Sequence, residues 1–96
     1  MTNEVVIVGA GLAGLCCARE LHHRGVRFRL LDAADGVGGR VRTDVVHGFR
    51  LDRGFQVFLT SYPEAQKVLD YPALRLTPFR PGALVRAAGA FHTLTD

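Results

Sequence analysis

The first third of the chain passes from an apolar run to a helical pattern and then to an alternating one. Val5–Val8 is a continuous β-branched run, typical of a strand buried on both faces of a parallel sheet. From Leu12 onward, small or apolar residues recur at helical spacing, at Gly14, Cys17, Ala18 and Leu21. Gly25 stands where helices commonly end, and alternation over residues 26–31 indicates a second strand. This order predicts a βαβ unit with a right-handed crossover.

Two further stretches have the pattern of β-hairpins. Each has a central dipeptide that ends in glycine, His47-Gly48 in one and Ala88-Gly89 in the other. The strand-like runs on either side are 41–46 with 49–52, and 83–86 with 90–94. The sequence therefore predicts two antiparallel pairs that follow the βαβ unit.

A short helix is predicted between the two hairpins. Ser61 and Glu64 form an S-x-x-E capping box, and Pro63 suits the first turn of a helix. We expect this helix to run to about residue 70 and to be closed by Tyr71-Pro72, because the residue before a proline disfavours helical geometry.

Composition and charge exclude several classes of protein. The chain has 96 residues, which is enough for one domain at most. Of these residues 48% are hydrophobic and 22% charged, a balance typical of a globular protein. The net charge is +3, but the arginines are scattered and Lys67 is the only lysine, which argues against a nucleic-acid partner. No apolar stretch is long enough to predict a transmembrane segment.

The two cysteines are adjacent, at positions 16 and 17. Neighbours on a helix point about 100° apart, so Cys16 and Cys17 are not placed to form a disulfide or a metal motif. We interpret them as small buried residues of a protein in a reducing compartment, and we expect a cytoplasmic location. His47 and His92 have no companions at metal-ligand spacing, so no metal site is predicted.

The main chemical motif lies between the first strand and the first helix. Gly9-Ala10-Gly11-Leu12-Ala13-Gly14 fits the G-x-G-x-x-G pattern of dinucleotide-binding sites. Gly9 permits the turn out of the strand, Gly11 lets the backbone approach a pyrophosphate, and Gly14 faces the sheet where a side chain would not fit. The helix N-terminus then offers free N–H groups and partial positive charge to an anion.

Asp32 follows the second strand, at about the distance from the glycines expected of the acid that binds ribose hydroxyls. Its carboxylate would repel a 2′-phosphate, which argues against NADP. The glycine motif and this acid leave NAD and FAD both open.

The next segment, Asp32-Ala33-Ala34-Asp35-Gly36-Val37-Gly38-Gly39-Arg40-Val41-Arg42-Thr43, closely resembles the flavin amine oxidase superfamily. That family includes monoamine oxidases, protoporphyrinogen oxidases and phytoene desaturases. The resemblance implies FAD as cofactor, with Gly38, Gly39 and Arg40 near the flavin diphosphate. Paired glycines expose backbone N–H groups and an arginine adds a charge-assisted contact, so the chemistry agrees. The role of Arg42 stays open: its side chain either contacts the flavin or the substrate, or it is solvated.

A second resemblance to the family covers Gly48-Phe49-Arg50-Leu51-Asp52-Arg53-Gly54-Phe55-Gln56-Val57. It implies that the chain after the hairpin passes beneath the flavin ring system, which would put Gly54 and Gln56 near the isoalloxazine. The alternative is an ordinary hairpin with Phe55 in a core.

The resemblance implies an α/β fold: a Rossmann-like FAD-binding region over residues 1–75 and the beginning of an inserted substrate domain over 76–96. Family members are several times longer, so we expect an N-terminal fragment that is poorly stable alone and binds FAD weakly or not at all.

The implied activity of the intact protein is that of an FAD-dependent oxidoreductase. It would transfer a hydride from an amine or a polyene or terpenoid substrate to the flavin, with its catalytic residues outside this chain. The alternatives are a non-catalytic nucleotide-binding fragment and an NAD-binding half-domain.

Overall fold

The computed structural model describes residues 3–54 and 57–95, which form six strands and three helices. In chain order these are β1 (Val5–Val8), α1 (Leu12–His23), β2 (Phe28–Leu31), β3 (Thr43–Val46), β4 (Phe49–Asp52), α2 (Pro63–Val68), α3 (Tyr71–Leu74), β5 (Ala83–Ala87) and β6 (Ala90–Leu94). The mixture of helices and strands is that of the predicted α/β class.

The first three elements form the predicted βαβ unit. β1 and β2 pair in parallel with Ile7 opposite Leu30, and α1 packs against both strands. Within the described residues, the buried hydrophobic side chains are Ile7, Ala10 and Ala18. The small core of the molecule therefore lies between α1 and the β1–β2 pair.

The residues that the structure describes cover only one face of the parallel pair. Val8 is 84% exposed and Val6 is 54% exposed, so the expectation that β1 is buried on both faces is wrong. Cys16 is half-buried but Cys17 is exposed, so the burial expected of the cysteines is wrong for Cys17. α1 covers one face of the β1–β2 pair, and the pair covers one side of α1, so the outer face of each is exposed.

The two predicted hairpins are confirmed. β3 pairs antiparallel with β4, and β5 with β6. At both connections two successive residues have positive φ: His47 (49°) with Gly48 (83°), and Ala88 (50°) with Gly89 (79°). This is the geometry of a type I′ turn, whose twist matches that of the flanking strands.

The predicted helix after the first hairpin differs from the observed one. The N-cap of α2 is Tyr62 and has no side-chain cap bond, so the Ser61–Glu64 capping box is wrong. α2 ends at Val68, and a second short helix follows where closure was expected. The Asp70 carboxylate caps α3 by accepting a 3.2 Å hydrogen bond from the Ala73 N–H. Pro72 lies in the first turn of α3, where a missing N–H does no harm.

The three strand pairs remain separate two-stranded sheets. The chain measures 70 × 32 × 24 Å with a radius of gyration of 19.1 Å. A compact domain of this length has a radius of gyration of about 13 Å. Across the described residues, none of the helices combines the length and apolarity needed to cross a bilayer.

Candidate functional site

The glycine loop, residues 9–14, connects β1 to α1. Gly9 has a φ of 103°, and its N–H donates to the Leu31 carbonyl at 2.7 Å, which extends the β1–β2 pairing into the loop. A Cβ placed on Gly14 would overlap the carbonyl oxygen of Gly9 and lie 3.5 Å from Cγ2 of Ile7. The absence of a side chain at position 14 therefore lets α1 close against the strand that precedes it.

The N-terminus of α1 is open. Its N-cap is Gly11, which supplies no side-chain cap, and its first turn contains no acidic residue. The N–H groups of a first helical turn have no partner within the helix and carry partial positive charge. Leu12 is 58% exposed at this end. The arrangement suits an anion.

Asp32 lies directly beside the glycine loop. Its Oδ2 accepts a hydrogen bond from the Ala10 N–H at 2.6 Å, and its Oδ1 accepts one from the Ala34 N–H at 2.7 Å. These two bonds, that of Ala10 first, hold the pKa of Asp32 below its ordinary value. The carboxylate is thus ionised and joins the loop after β1 to the loop after β2. Sequence reasoning assigned this acid to a ligand and missed its contacts with the backbone.

The second glycine segment, Gly38-Gly39, returns to the glycine loop. The Gly38 N–H donates to the Ala10 carbonyl at 2.8 Å. A Cβ placed on Gly39 would lie 3.2 Å from the Cα of Gly11. Both glycines have positive φ, 114° and 58°. The structure therefore brings together two segments that lie far apart in the sequence and that sequence reasoning assigned to one diphosphate.

Gly54 follows β4 and lies against the backbone of Arg40. A Cβ at position 54 would overlap the Arg40 carbonyl oxygen. The Arg40 side chain is exposed, and no carboxylate in residues 3–54 or 57–95 pairs with its guanidinium. Gln56, the other residue predicted near the flavin ring, lies outside the described residues.

Arg42 has a partner, so a solvated side chain is excluded. Its Nη1 lies 2.7 Å from Oδ1 of Asp35, and its side chain is 19% exposed. The hydrogen bond and charge of Arg42 lower the pKa of Asp35. The sequence pattern does not predict this ion pair. Its two side chains meet only because the chain folds back over residues 36–38.

An open cavity of about 490 Å³ lies at the carboxyl ends of β1 and β2. Val8, Gly9, Leu31, Asp32 and Ala33 line it. In open α/β sheets, ligands bind in the crevice outside the carboxyl ends of the strands. In the part of the chain that the structure describes, no three His, Cys, Asp or Glu side chains form a group that could hold a metal ion.

A sequence model of the NAD(P)-binding Rossmann-like domain family matches residues 7–72, which span β1 to α3. The chain belongs to this family. The matched range contains both glycine segments and Asp32, so these residues are part of a dinucleotide-binding Rossmann-like domain.

Curated relatives of this Rossmann-like domain are oxidoreductases. Lysine-specific histone demethylase 2 from Homo sapiens is 46% identical over 56 residues, 57% of the chain and 7% of the relative. Protoporphyrinogen oxidase 2 from Arabidopsis thaliana is 35% identical over 73 residues, 76% of the chain and 14% of the relative. A putative flavin-containing monoamine oxidase from Mycobacterium tuberculosis is 47% identical over 53 residues, 55% of the chain and 12% of the relative.

These similarities confirm the resemblance to the flavin amine oxidase superfamily. The Rossmann-like domain spans only a small part of the relatives that it matches, 7% of the human protein and 14% of the plant protein. The family's description names NAD(P), whereas the name of the mycobacterial relative specifies flavin. The comparisons thus agree on a dinucleotide and differ on which one.

Proposed function

We propose that this chain is the cofactor-binding part of an FAD-dependent oxidoreductase and that it binds FAD weakly by itself. The observation that carries the proposal is the meeting of the glycine loop with Gly38-Gly39, joined by the 2.8 Å hydrogen bond from Gly38 to Ala10. The Gly38 N–H already donates to Ala10, so the donors that we assign to a ligand are those of the first turn of α1 and of Gly39. A diphosphate needs several such donors at once, because its negative charge is spread over several oxygens.

The space beside Gly11 supports this fit. Among the described residues, a Cβ at position 11 would meet only the Cα of Gly39, at 3.9 Å. The protein itself therefore tolerates a side chain here, and the glycine leaves space that a ligand can use. We assign Gly9–Gly14 at the N-terminus of α1, together with Gly38, Gly39 and Arg40, to the diphosphate.

Asp32 is assigned to the ribose hydroxyls. Each carboxylate oxygen accepts one backbone hydrogen bond and keeps further acceptor capacity. Its negative charge disfavours the 2′-phosphate of NADP. NAD remains the second candidate, since the description of the family names it.

Gly54 and Gln56 are proposed to lie near the flavin ring, on the strength of the family resemblance and of the contact between Gly54 and Arg40. When bound, FAD would accept a hydride from an organic substrate of the amine or the polyene or terpenoid class. Residues 1–75 would form the cofactor-binding region, and residues 76–96, which contain the β5–β6 hairpin, would begin a substrate domain.

The test is a titration of the ¹⁵N-labelled chain with FAD, followed by NMR, which detects weak binding residue by residue. We expect the largest shifts at the amides of residues 9–14 and 38–40. Gly11→Ser should weaken binding at least tenfold, equivalent to about 1.4 kcal/mol. Serine favours the N-cap position, so the helix should be retained while the new side chain blocks the diphosphate.

Cys17→Ser is the matched control, because Cys17 is exposed on the same helix and away from its N-terminus. It should bind FAD like the wild type. Titration with NAD distinguishes the two candidates: tighter binding of NAD than of FAD at the same amides would favour the NAD-binding alternative. A folded chain whose glycine amides respond to neither nucleotide would contradict the proposal.

A further inference from the structure

Arg42 folds back over the segment that reaches the glycine loop. A Cβ placed on Gly36 would lie 3.1 Å from Nη2 of Arg42, and one placed on Gly38 would lie 2.8 Å from Cγ of Arg42. The arginine stem and guanidinium thus occupy the space that side chains at positions 36 and 38 would take. The 2.7 Å ion pair with Asp35 holds the far end of the side chain.

The backbone of Arg42 is held from the other side. Its carbonyl accepts a hydrogen bond from the Arg53 N–H at 2.8 Å, which attaches it to the base of the β3–β4 hairpin. Val41 also donates to the Gly38 carbonyl at 3.0 Å and closes the intervening turn. Arg42 therefore connects a fixed hairpin to the loop that carries Gly38.

The other ion pairs between described residues lack this placement. Arg24 pairs with Glu20 one helical turn away, and their side chains are 70% and 54% exposed. Arg53 pairs with Asp44 across the β3–β4 hairpin, and their side chains are 43% and 42% exposed. Exposed pairs of this kind contribute little, because water and salt screen them and their side chains lose entropy. Asp35 is itself 83% exposed, but Arg42, at 19%, is the least exposed of the paired side chains described and covers backbone of the site itself.

We propose that the Arg42–Asp35 ion pair is a latch that holds Gly38 against Ala10, and that Arg42 is a positioning residue which sets the affinity of the site for the nucleotide. The second part of this inference, the effect of Arg42 on nucleotide affinity, rests on the proposed function. With the latch open, the loop carrying Gly38 and Gly39 samples other conformations. Apparent affinity then falls in proportion to the fraction of molecules with the loop in place.

The first test needs no nucleotide. Hydrogen exchange of the Gly38 amide reports the bond to Ala10 directly. Arg42→Met removes the charge and should speed that exchange about tenfold, and Asp35→Asn should act in the same direction. Arg42→Lys keeps a cation and should restore much of the protection. Arg24→Met, which breaks the exposed pair with Glu20 on α1, should leave Gly38 unchanged.

The second test is the FAD titration of the same variants. About tenfold weaker binding is expected for Arg42→Met if the competent fraction falls to roughly a tenth, with recovery in Arg42→Lys. Equal Gly38 exchange in Arg42→Met and the wild type would overturn the latch, whether or not FAD binds. Faster exchange with unchanged FAD affinity would overturn the positioning role alone. A wild type that binds no FAD would overturn the proposed function, while the exchange result still decides the latch.

Discussion

At the scale of single residues, Asp32 shows how a ligand-binding acid can also shape its own site. Its two oxygens accept hydrogen bonds from the Ala10 and Ala34 N–H groups. The same carboxylate that is proposed to bind the ribose therefore keeps the glycine loop beside the end of β2. Protonation would weaken both interactions together.

The lowered pKa of Asp32 gives a pH dependence with a defined sign. A depressed folded-state pKa contributes stability above the unfolded pKa, and this is lost as pH falls through the folded one. We expect the Ala10 and Ala34 amide shifts to titrate together at a pH below the ordinary aspartate range. Asp32→Asn should remove that titration, measured by NMR. Asp44→Asn is the control, since Asp44 also has a lowered pKa but pairs with Arg53. Independent titration of the two amides would contradict this account.

Gly14 offers a test of packing with no electrostatic component. Gly14→Ala would drive a Cβ into the Gly9 carbonyl. We expect a loss of about 1–3 kcal/mol, as for other overpacked sites, despite alanine's better helix propensity. Cys17→Ala on the exposed face of α1 is the control and should leave stability unchanged or slightly raised. Thermal unfolding followed by circular dichroism measures both, and an unchanged midpoint for Gly14→Ala would show that α1 can move away from the loop.

At the scale of elements, the hairpins contain one unfavourable residue each. Ala88 has a φ of 50° at the first turn position of β5–β6, where an L-residue with a β-carbon is strained. Asparagine tolerates this geometry, and Asn-Gly is the preferred type I′ pair. The Ala88-Gly89 turn is therefore less stable than an Asn-Gly turn would be at the same position.

Ala88→Asn should stabilise the β5–β6 hairpin by up to about 1 kcal/mol. Slower amide exchange across the Ala87–Ala90 end of the ladder would show it. The same substitution at Ala90, which lies in β6 with an ordinary strand register, should weaken the hairpin, because asparagine is disfavoured in strands. Equal effects at the two positions would show that turn strain does not limit the hairpin.

The elements that could be predicted are those whose signals are local. β1, α1 and both glycine turns follow from runs, spacing and dipeptides, and they occur where expected. α3 could not be predicted, because Pro72 reads equally as a helix end or as a first-turn residue, and only the Asp70 cap decides between them. The contacts of Gly54 with Arg40 and of Arg42 with Asp35 depend on the tertiary path of the chain, for which the sequence pattern has no signal.

At the scale of the whole molecule, the separate sheets imply separate stabilities. The main contacts between elements lie within the three strand pairs and between α1 and its two strands. Large apolar side chains such as Val8, Phe49 and Phe79 are at least 70% exposed. A parallel pair with one covered face and open edges is a surface on which other strands can pair.

We expect small-angle X-ray scattering of the dilute chain to give a radius of gyration close to the 19.1 Å of the structure. FAD should slow amide exchange in residues 4–54, which hold the proposed site, and leave β5–β6 unaffected. A value near 13 Å, as for a compact domain, would contradict the separation of the sheets. Protection that spreads to β5–β6 on adding FAD would show that the hairpin is coupled to the site.

The connections between paired strands also determine the order in which the molecule assembles. β3–β4 and β5–β6 each close through a two-residue turn, so each can form in about 1–10 μs, without waiting for the rest of the chain. β1 and β2 meet only after α1 has formed and the chain has crossed back over it. Refolding should therefore show hairpin signals first and the nucleotide site last, because the site forms only when β1 and β2 have paired, which is the slowest step.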